Sequence, residues 1–253
     1  MNGNLSNKVV VIGGIGGGIG SALARRLSES GCQIAGFGRS TAKLGAVTDE
    51  LDGIHTATVD ATHPFEIDTF LADVKSNYGQ IDAYVHAIGS IFLKPAHLTG
   101  DDDWANTLQI NLSTAFFALR SCTKLMQKQG HGSCVFFSTA AAQAGIANHE
   151  AIAAAKGGID AMIRSAAATY APRGVRINAI APSLTATPLA KPIIGSEQAL
   201  EISKRMHPLG DIAQADEVAS LAAWLVSDDA RLVTGQTFVL DGGISTIVPK
   251  PRA

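Results

Sequence analysis

Residues 8–20 read KVVVIGGIGGGIG, an apolar run that passes directly into a glycine-rich loop. The run at 8–12 predicts a buried strand, and the pattern of 19–30 predicts a helix after the loop. Glycines let a backbone turn tightly and approach a pyrophosphate, while the start of a helix supplies N–H donors. This strand–loop–helix setting therefore predicts a dinucleotide site rather than a bare structural turn.

Short apolar runs alternate with helical patterns along the rest of the chain. Seven strands are predicted, at residues 8–12, 33–38, 55–59, 83–87, 133–137, 175–180 and 237–240. Continuous apolar strands separated by helices are typical of a parallel sheet covered on both faces. Right-handed crossovers then predict an α/β, Rossmann-type doubly wound fold, with ligand at the carboxyl ends of the strands. We expect one domain over 1–253, in which the long irregular stretch 182–210 is a substrate lid.

The composition is that of an ordinary globular protein. Of 253 residues, 46% are hydrophobic and 17% charged, and the formal net charge is −2. This balance gives no reason to expect nucleic acid or a membrane surface as a partner. Residues 1–8 show no apolar signal region and no run is long enough to span a membrane, so we expect a cytoplasmic protein. The three cysteines lack metal-ligand spacing, so no metal site is predicted.

The end of the second predicted strand bears on the choice of dinucleotide. An NAD(H) site places a carboxylate there, but this strand ends in Gly38, Arg39 and Ser40. A guanidinium suits a 2′-phosphate, so NADP(H) is favoured over NAD(H). The alternative is a solvated arginine, and the glycine loop holds no second basic residue. Asp60, which ends the third strand, is predicted to accept from the adenine amino group, with a helix cap before Pro64 as the alternative.

Together these motifs resemble the short-chain dehydrogenase/reductase family over essentially the whole chain. The positions that match its cofactor site are Gly14, Gly18, Ile19, Gly20, Arg39, Asp60 with Ala61, Gly89, Lys156, Pro182 and Thr187. Gly13 stands where threonine is usual, and His86 begins the slot of the family's Asn-Asn-Ala-Gly turn. Residues 240–243 resemble the family's C-terminal end, which implies a homotetramer or homodimer.

The family's catalytic tetrad is matched at all positions but one. Asn111, Ser138 and Lys156 match its asparagine, serine and lysine, whereas Ile152 stands where the tyrosine is expected, four residues before the lysine. The resemblance implies that lysine holds the ribose hydroxyls, serine bonds the substrate oxygen and asparagine holds a water of a proton relay. Tyrosine would give the proton. Isoleucine has no donor, and general acid catalysis is typically worth about 10²–10⁴ in rate.

His149 is the best candidate for a replacement acid. It lies seven residues before Lys156, about two turns of helix, so both side chains can face one way. The enoyl-thioester reductase branch of the family uses the same spacing between its tyrosine and lysine. Imidazole titrates near neutrality. The alternative for His149 is a solvated residue at the start of a helix. A second histidine, His86, is interpreted either as a hydrogen-bonded core histidine or as a site residue.

Three functions stay open. We favour an NADP(H)-dependent oxidoreductase that reduces a conjugated C=C, or an activated carbonyl or imine, by an altered proton route. Its substrate is expected to be a small, apolar molecule, because residues 182–210 are rich in apolar side chains. The alternatives are a catalytically inactive nucleotide-binding subunit or sensor and a non-redox lyase or isomerase on the same fold. The missing tyrosine favours the inactive subunit, and the three retained tetrad residues favour an enzyme.

Overall fold

The fold is known from a computed structural model that describes residues 4–248. Residues 1–3 and 249–253 lie outside the described part. The prediction of one domain over 1–253 therefore extends beyond it at both ends, and so does part of the stretch 1–8 that was expected to lack a signal region. Within 4–248 no helix has the length and apolar character needed to cross a membrane.

A parallel sheet of seven strands forms the centre of the molecule, as the sequence predicts. Its strands are β1 (Val9–Gly13), β2 (Gln33–Gly38), β3 (His55–Thr58), β4 (Ala83–His86), β5 (Gly132–Phe137), β6 (Val175–Pro182) and β9 (Thr237–Leu240). Their spatial order is β3-β2-β1-β4-β5-β6-β9, and every neighbouring pair is parallel. The winding reverses between β1 and β4, which is where such sheets bind ligands.

Helices cover both faces of this sheet. They are α1 (Gly18–Glu29), α2 (Thr41–Glu50), α3 (Pro64–Tyr78), α4 (Asp101–Leu108), α5 (Thr114–Gln129), α6 (Glu150–Tyr170), α7 (Lys191–Ile194), α8 (Glu197–Met206) and α9 (Ala215–Val226). A π-helical turn, Gln109–Ser113, joins α4 to α5. Core residues of α3, α5 and α6 pack on one face, and those of α1, α2 and α9 pack on the other. The doubly wound prediction is therefore confirmed.

Alternation along β1 explains why its sequence is apolar without interruption. Val9 and Val11 belong to one core cluster, whereas Val10 and Ile12 belong to the other. Successive side chains of a strand point to opposite faces, so a strand covered on both faces needs an apolar residue at every position.

The segment 182–210 was expected to be irregular, but it contains α7, α8 and the short strand β7 (Thr185–Ala186). β7 pairs with β8 (Ala213–Gln214). Pro192 falls in the first turn of α7, where a proline costs no hydrogen bond, and Ser196 caps α8 by accepting from the Ala199 N–H at 3.1 Å. Pro192 thus marks the start of a helix, whereas Pro182 ends strand β6, and movement of this segment as a lid stays a prediction.

Candidate active site

One cleft runs along the carboxyl ends of the strands, at the reversal between β1 and β4. It consists of two adjoining cavities of about 250 Å³ and about 330 Å³, which share Ala87, Ile88 and Gly89 in the loop after β4. We call the smaller one the dinucleotide cavity and the larger one the substrate cavity.

Most of the predicted cofactor residues lie at this cleft. The dinucleotide cavity is lined by Gly14, Gly16, Gly17, Gly38, Arg39, Ser40, Lys43, Asp60, Ala61, Thr62 and Gly89, among others. Ile19, Lys156, Pro182 and Thr187 instead line the substrate cavity. Gly18 lies at the junction, because a Cβ added to it would come 2.8 Å from the Cβ of Thr187.

The glycine loop is shaped for an anion. Gly14 has a φ of +83°, and a Cβ there would lie 2.7 Å from the Ala87 carbonyl oxygen, so a side chain is excluded twice over. No side chain caps α1, and the N–H groups of Gly18, Ile19 and Gly20 find no acceptor within residues 4–248. Free N–H groups at a helix start fit the pyrophosphate of a dinucleotide.

Two cations line the dinucleotide cavity. Arg39 is exposed at the end of β2, and Lys43 projects from the first turn of α2. Neither forms an ion pair with any residue of the described part. Sequence reasoning missed Lys43 because it sought a second basic residue only within the glycine loop. The helix brings it there from outside, where its Cβ would contact a side chain at Gly16.

Asp60 stays at the cavity and does not cap the next helix. Its Oδ1 accepts from the N–H of Thr62 at 2.9 Å and from the Thr62 hydroxyl at 2.8 Å, while His63 is the N-cap of α3. The helix-cap alternative is therefore wrong. Burial alone would raise the pKa of Asp60, but the Thr62 hydrogen bonds and nearby Arg39 outweigh it and lower that pKa. An ionised acceptor is thus held where an adenine amino group is predicted.

The substrate cavity gathers the four predicted catalytic residues. Its polar lining includes Ser90, Asn111, Ser138, Thr139, His149, Lys156, Ser183, Thr185, Thr187, Ser203 and His207, and most of the remaining lining is apolar. Ile152 lies among them in the first turn of α6, and its side chain is buried. The position that should carry an acid therefore presents only hydrocarbon to the cavity.

Lys156 is buried one turn further along α6. Its Nζ donates to the carbonyl oxygen of Phe137 at 2.8 Å. Burial lowers the pKa of Lys156 from 10.5 to about 8, against the opposing pull of Asp160. The ammonium group is thus held at the end of β5, beside the loop that joins the two cavities.

Asn111 fixes that loop. Its Oδ1 accepts from the Ser90 N–H at 3.0 Å, and its Nδ2 donates to Ser90 Oγ at 2.9 Å and to the Thr107 carbonyl at 3.0 Å. Both N–H hydrogens are thereby used, so only Oδ1 has a lone pair left for a water. The relay role predicted for Asn111 stays a prediction, and the side chain acts here as a clamp.

The Ser138 hydroxyl donates to a buried carboxylate and does not offer its hydrogen to a substrate oxygen, the role that was predicted for it. Ser138 Oγ lies 2.9 Å from Asp160 Oδ2 and 3.2 Å from the Lys156 carbonyl oxygen, so its hydrogen is committed to an acceptor behind the cavity. Thr139 is the neighbour that sequence reasoning missed. Its Oγ1 accepts from the Ala141 N–H at 3.3 Å, and its own hydrogen finds no acceptor within residues 4–248. Adjacent residues of an extended chain face opposite ways, so when the Ser138 hydroxyl bonds to Asp160, the Thr139 hydroxyl faces the other way.

His149 lines the same cavity as Lys156, although it precedes α6 and is not within the helix. It is half-buried and is the N-cap residue of α6. Its Nδ1 donates to the Ala147 carbonyl oxygen at 2.7 Å, since a carbonyl only accepts. Nε2 has no hydrogen-bond partner within residues 4–248, and the catalytic interpretation stays a prediction.

Comparison with known proteins decides the family. A family model described as Enoyl-(Acyl carrier protein) reductase matches residues 14–245. The chain belongs to the short-chain dehydrogenase/reductase family. The D-threitol dehydrogenase of Mycolicibacterium smegmatis is 31% identical over 243 residues, which cover 94% of this chain and 93% of that protein.

Two further relatives of this short-chain dehydrogenase/reductase differ in cofactor. An NAD-dependent glycerol dehydrogenase of Listeria innocua is 30% identical over 241 residues, 95% of this chain and 94% of its own. A variant of the actinorhodin polyketide ketoreductase, solved with NADPH, has a TM-score of 0.91 at 25% identity and covers 95% of this chain and 98% of its own. The relatives are oxidoreductases that use nicotinamide cofactors of both kinds.

A row of buried hydrogen-bonded side chains lies beside Gly13 of the glycine loop. Tyr84 donates to His86 Nδ1 at 2.8 Å, and His86 Nε2 donates at 3.1 Å to Thr114, whose hydroxyl donates in turn to the Ile110 carbonyl. Burial, with Lys156 nearby, lowers the pKa of His86 to about 3, so the ring is neutral. The core-histidine interpretation is confirmed.

No group of three or more His, Cys, Asp or Glu side chains within residues 4–248 is arranged to hold a metal ion.

Proposed function

We propose that this chain is an NADP(H)-dependent oxidoreductase that reduces a conjugated C=C, or an activated carbonyl or imine, by a proton route without tyrosine. One observation carries the proposal. A dinucleotide cavity with two cations that have no ion-pair partner within residues 4–248 opens directly onto an apolar cavity, in which Lys156 is retained and Ile152 stands in place of the acid.

The preference for NADP(H) rests on Arg39 and Lys43. A 2′-phosphate adds about two negative charges, which suit a guanidinium and an ammonium group on the same cavity wall. An NAD(H) site would place a carboxylate at the end of β2, and this chain has Gly38 and Arg39 there instead.

The chain's own residues divide the work of binding and orientation. The N–H groups of Gly18, Ile19 and Gly20 would hold the pyrophosphate, Asp60 the adenine amino group, and Lys156 the ribose hydroxyls. A bound reduced nicotinamide supplies the hydride. Thr139 donates its free hydrogen to a substrate oxygen, and Ile152 packs against apolar substrate surface.

A conjugated C=C substrate suits this cavity better than an ordinary ketone. Hydride addition to an enone leaves charge on an oxygen that a hydrogen-bond donor can stabilise, and the carbon is protonated later by water or by His149. An ordinary ketone lacks that delocalisation and depends on prompt protonation, worth about 10²–10⁴ in rate. The mostly apolar lining supports a small apolar substrate.

We also propose a homodimer or homotetramer, on the family resemblance of residues 240–243. Light scattering on the purified protein tests this directly.

The test of function titrates NADPH and NADH by fluorescence and then follows loss of NADPH absorbance with enones, enoyl thioesters and ketones. We expect tighter binding of NADPH and turnover of C=C substrates ahead of simple ketones. Tight NADPH binding without turnover of any compound would instead establish the second candidate, an inactive nucleotide-binding subunit, which the hydrocarbon side chain of Ile152 favours.

A further inference from the structure

A serine and a histidine in the lining of the substrate cavity are hydrogen-bonded to each other. Ser183 follows the last residue of β6, and His207 follows α8. Ser183 Oγ lies 2.8 Å from His207 Nε2. Both side chains line the cavity that also contains Ile152, and His207 is otherwise buried, with 5% of its surface exposed.

The contacts of His207 assign its hydrogen atoms. Its Nδ1 lies 2.7 Å from the carbonyl oxygen of Ser203, one turn back in α8. A carbonyl only accepts, so Nδ1 carries a hydrogen, Nε2 of the neutral ring accepts, and the Ser183 hydroxyl donates to it. The Ser183 backbone is fixed as well, because its N–H donates to the Leu240 carbonyl at 3.1 Å.

A hydroxyl, an imidazole behind it and an orienting acceptor behind the imidazole are the parts of a proton-transfer pair. We propose that Ser183 and His207 form such a pair and supply the proton that Ile152 lacks. The proposal rests on the oxidoreductase function proposed above. It concerns a pair separated by 24 positions in sequence, in a segment outside the tetrad.

Protonation of His207 reverses the direction of the Ser183 hydrogen. With a neutral ring, Ser183 donates to Nε2 and offers the cavity only an acceptor. With a charged ring, Nε2–H donates to Ser183 Oγ, and the serine hydrogen turns toward the cavity. The pair therefore gives a proton in its charged state and receives one in its neutral state.

Transfer of this proton completes the reduction. Hydride from NADPH forms a C–H bond, and the π electrons move to the substrate oxygen. That oxygen takes the hydrogen of Ser183, Ser183 Oγ takes the Nε2 proton of His207, and solvent returns a proton to the ring. Substrate, NADPH and one proton become reduced product and NADP⁺.

The charges around His207 come from two neighbouring turns and from α8. Asp211 and Asp241 are near enough to interact electrostatically with the ring. Asp241 also accepts from the N–H groups of Gly243 and Ser245. Lys204 on α8 is the nearby cation, and its Nζ lies 3.4 Å from Asp211 Oδ1. The segment that carries Ser183 contributes no charged group between 182 and 187.

The test compares Ser183→Ala and His207→Asn with the wild type, using NADPH and 2-cyclohexen-1-one between about pH 5 and pH 9. We expect the wild-type kcat for reduction to fall as pH rises, because only the charged form of the pair gives a proton. Each variant should lose about 10²–10³ in kcat, as loss of one donor to a developing oxyanion does, and should no longer show the fall of kcat with pH, while its KM for NADPH stays unchanged. His131→Gln is the control. His131 lies at the amino end of β5, away from the cavity at the carboxyl ends of the strands, and pairs with Asp82.

Unchanged kcat and an unchanged pH limb in both variants would overturn the pair while leaving the oxidoreductase proposal intact. Loss of the limb in His149→Ala alone would likewise overturn it and assign the proton to His149.

A measurement without turnover separates failure of the pair from failure of the proposed function. The carbonyl stretch of 2-cyclohexen-1-one is recorded by infrared spectroscopy on the protein with NADP⁺. At low pH we expect a lower frequency in the wild type than in Ser183→Ala, because the serine donates to the oxygen. Equal frequencies contradict the pair whether or not NADPH is oxidised, whereas absent NADPH binding contradicts the proposed function.

Discussion

Ser138 Oγ donates to Asp160 Oδ2 over 2.9 Å, so this serine serves a buried carboxylate. Asp160 also accepts from Gln143 Nε2 at 2.8 Å and from Thr237 Oγ1 at 2.8 Å. The carboxylate thereby connects the end of β5, helix α6 and strand β9. Ser138 thus contributes to the packing around Asp160, and Thr139, which also lines the substrate cavity, is the hydroxyl that we propose binds substrate.

Substitutions at these two neighbours should therefore have opposite effects. Ser138→Ala removes a bond from a buried carboxylate and should lower the free energy of unfolding by about 1–3 kcal/mol, with little change in kcat. Thr139→Val should cost only about 1 kcal/mol of stability, through the lost bond from the Ala141 N–H, and should lower kcat by about 10²–10³, as loss of one donor to a developing oxyanion does. Urea denaturation and NADPH-linked kinetics measure both, and the reverse pattern would restore Ser138 to the catalytic role.

The two cations of the dinucleotide cavity should determine cofactor choice. Arg39→Ala and Lys43→Ala should each weaken NADPH binding about 10–100-fold, since a charge-assisted bond contributes about 1.5–3 kcal/mol. NADH has no 2′-phosphate, so its affinity should stay nearly unchanged. Fluorescence titration gives both dissociation constants, and equal loss for the two dinucleotides would show that neither side chain reads the phosphate. Arg164→Ala, on α6 outside both cavity linings, is a control for net charge.

The fold was accessible to sequence reasoning because its determinants are local. An uninterrupted apolar run such as 8–12 identifies a doubly covered strand, and the glycines after it identify a backbone that must approach a ligand. The sequence could not predict which of the two hydroxyls, Ser138 or Thr139, points into the cavity. The direction of a side chain at a strand end depends on a register that the motif does not fix. Ser183 and His207 are 24 positions apart, and only the path of α8 brings them together.

Lys156 should make stability depend on pH. Its pKa is about 8 in the folded chain and 10.5 when unperturbed, so between those values the unfolded chain binds more protons and stability rises with pH. Burial of the charge costs about 3 kcal/mol at pH 7. Lys156→Met should remove this slope and raise the free energy of unfolding at pH 7 by about 1–2 kcal/mol, after allowing for the lost bond to Phe137. Urea denaturation at pH 7 and at about pH 10 tests this, and a slope that persists in the variant would assign it to another group.

Gly13 should tolerate no side chain while Tyr84 lies beneath it. A Cβ at Gly13 would come 2.5 Å from the Tyr84 hydroxyl oxygen and 3.0 Å from Phe37 Cζ. Gly13→Ala should therefore cost about 1–3 kcal/mol through overpacking. In a Tyr84→Phe background that cost should shrink, because the closest atom is gone. A double-mutant cycle by thermal denaturation measures the coupling, and purely additive effects would mean that the loop moves aside without meeting Tyr84.

Ile152→Tyr should create carbonyl reductase activity. The side chain at 152 lines the substrate cavity together with Thr139 and Lys156, so a phenol there would meet a substrate oxygen already bonded by threonine. Buried Lys156, one turn along α6, would favour ionisation of that phenol and so aid proton transfer. If simple ketones are poor substrates of the wild type, as we propose, they should gain about 10²–10⁴ in kcat, while enone reduction changes less. Ile152→Phe is the matched control, since it adds the ring without the hydroxyl. If tyrosine and phenylalanine give the same rates while both variants bind NADPH as the wild type does, acid catalysis is not what this position lacks.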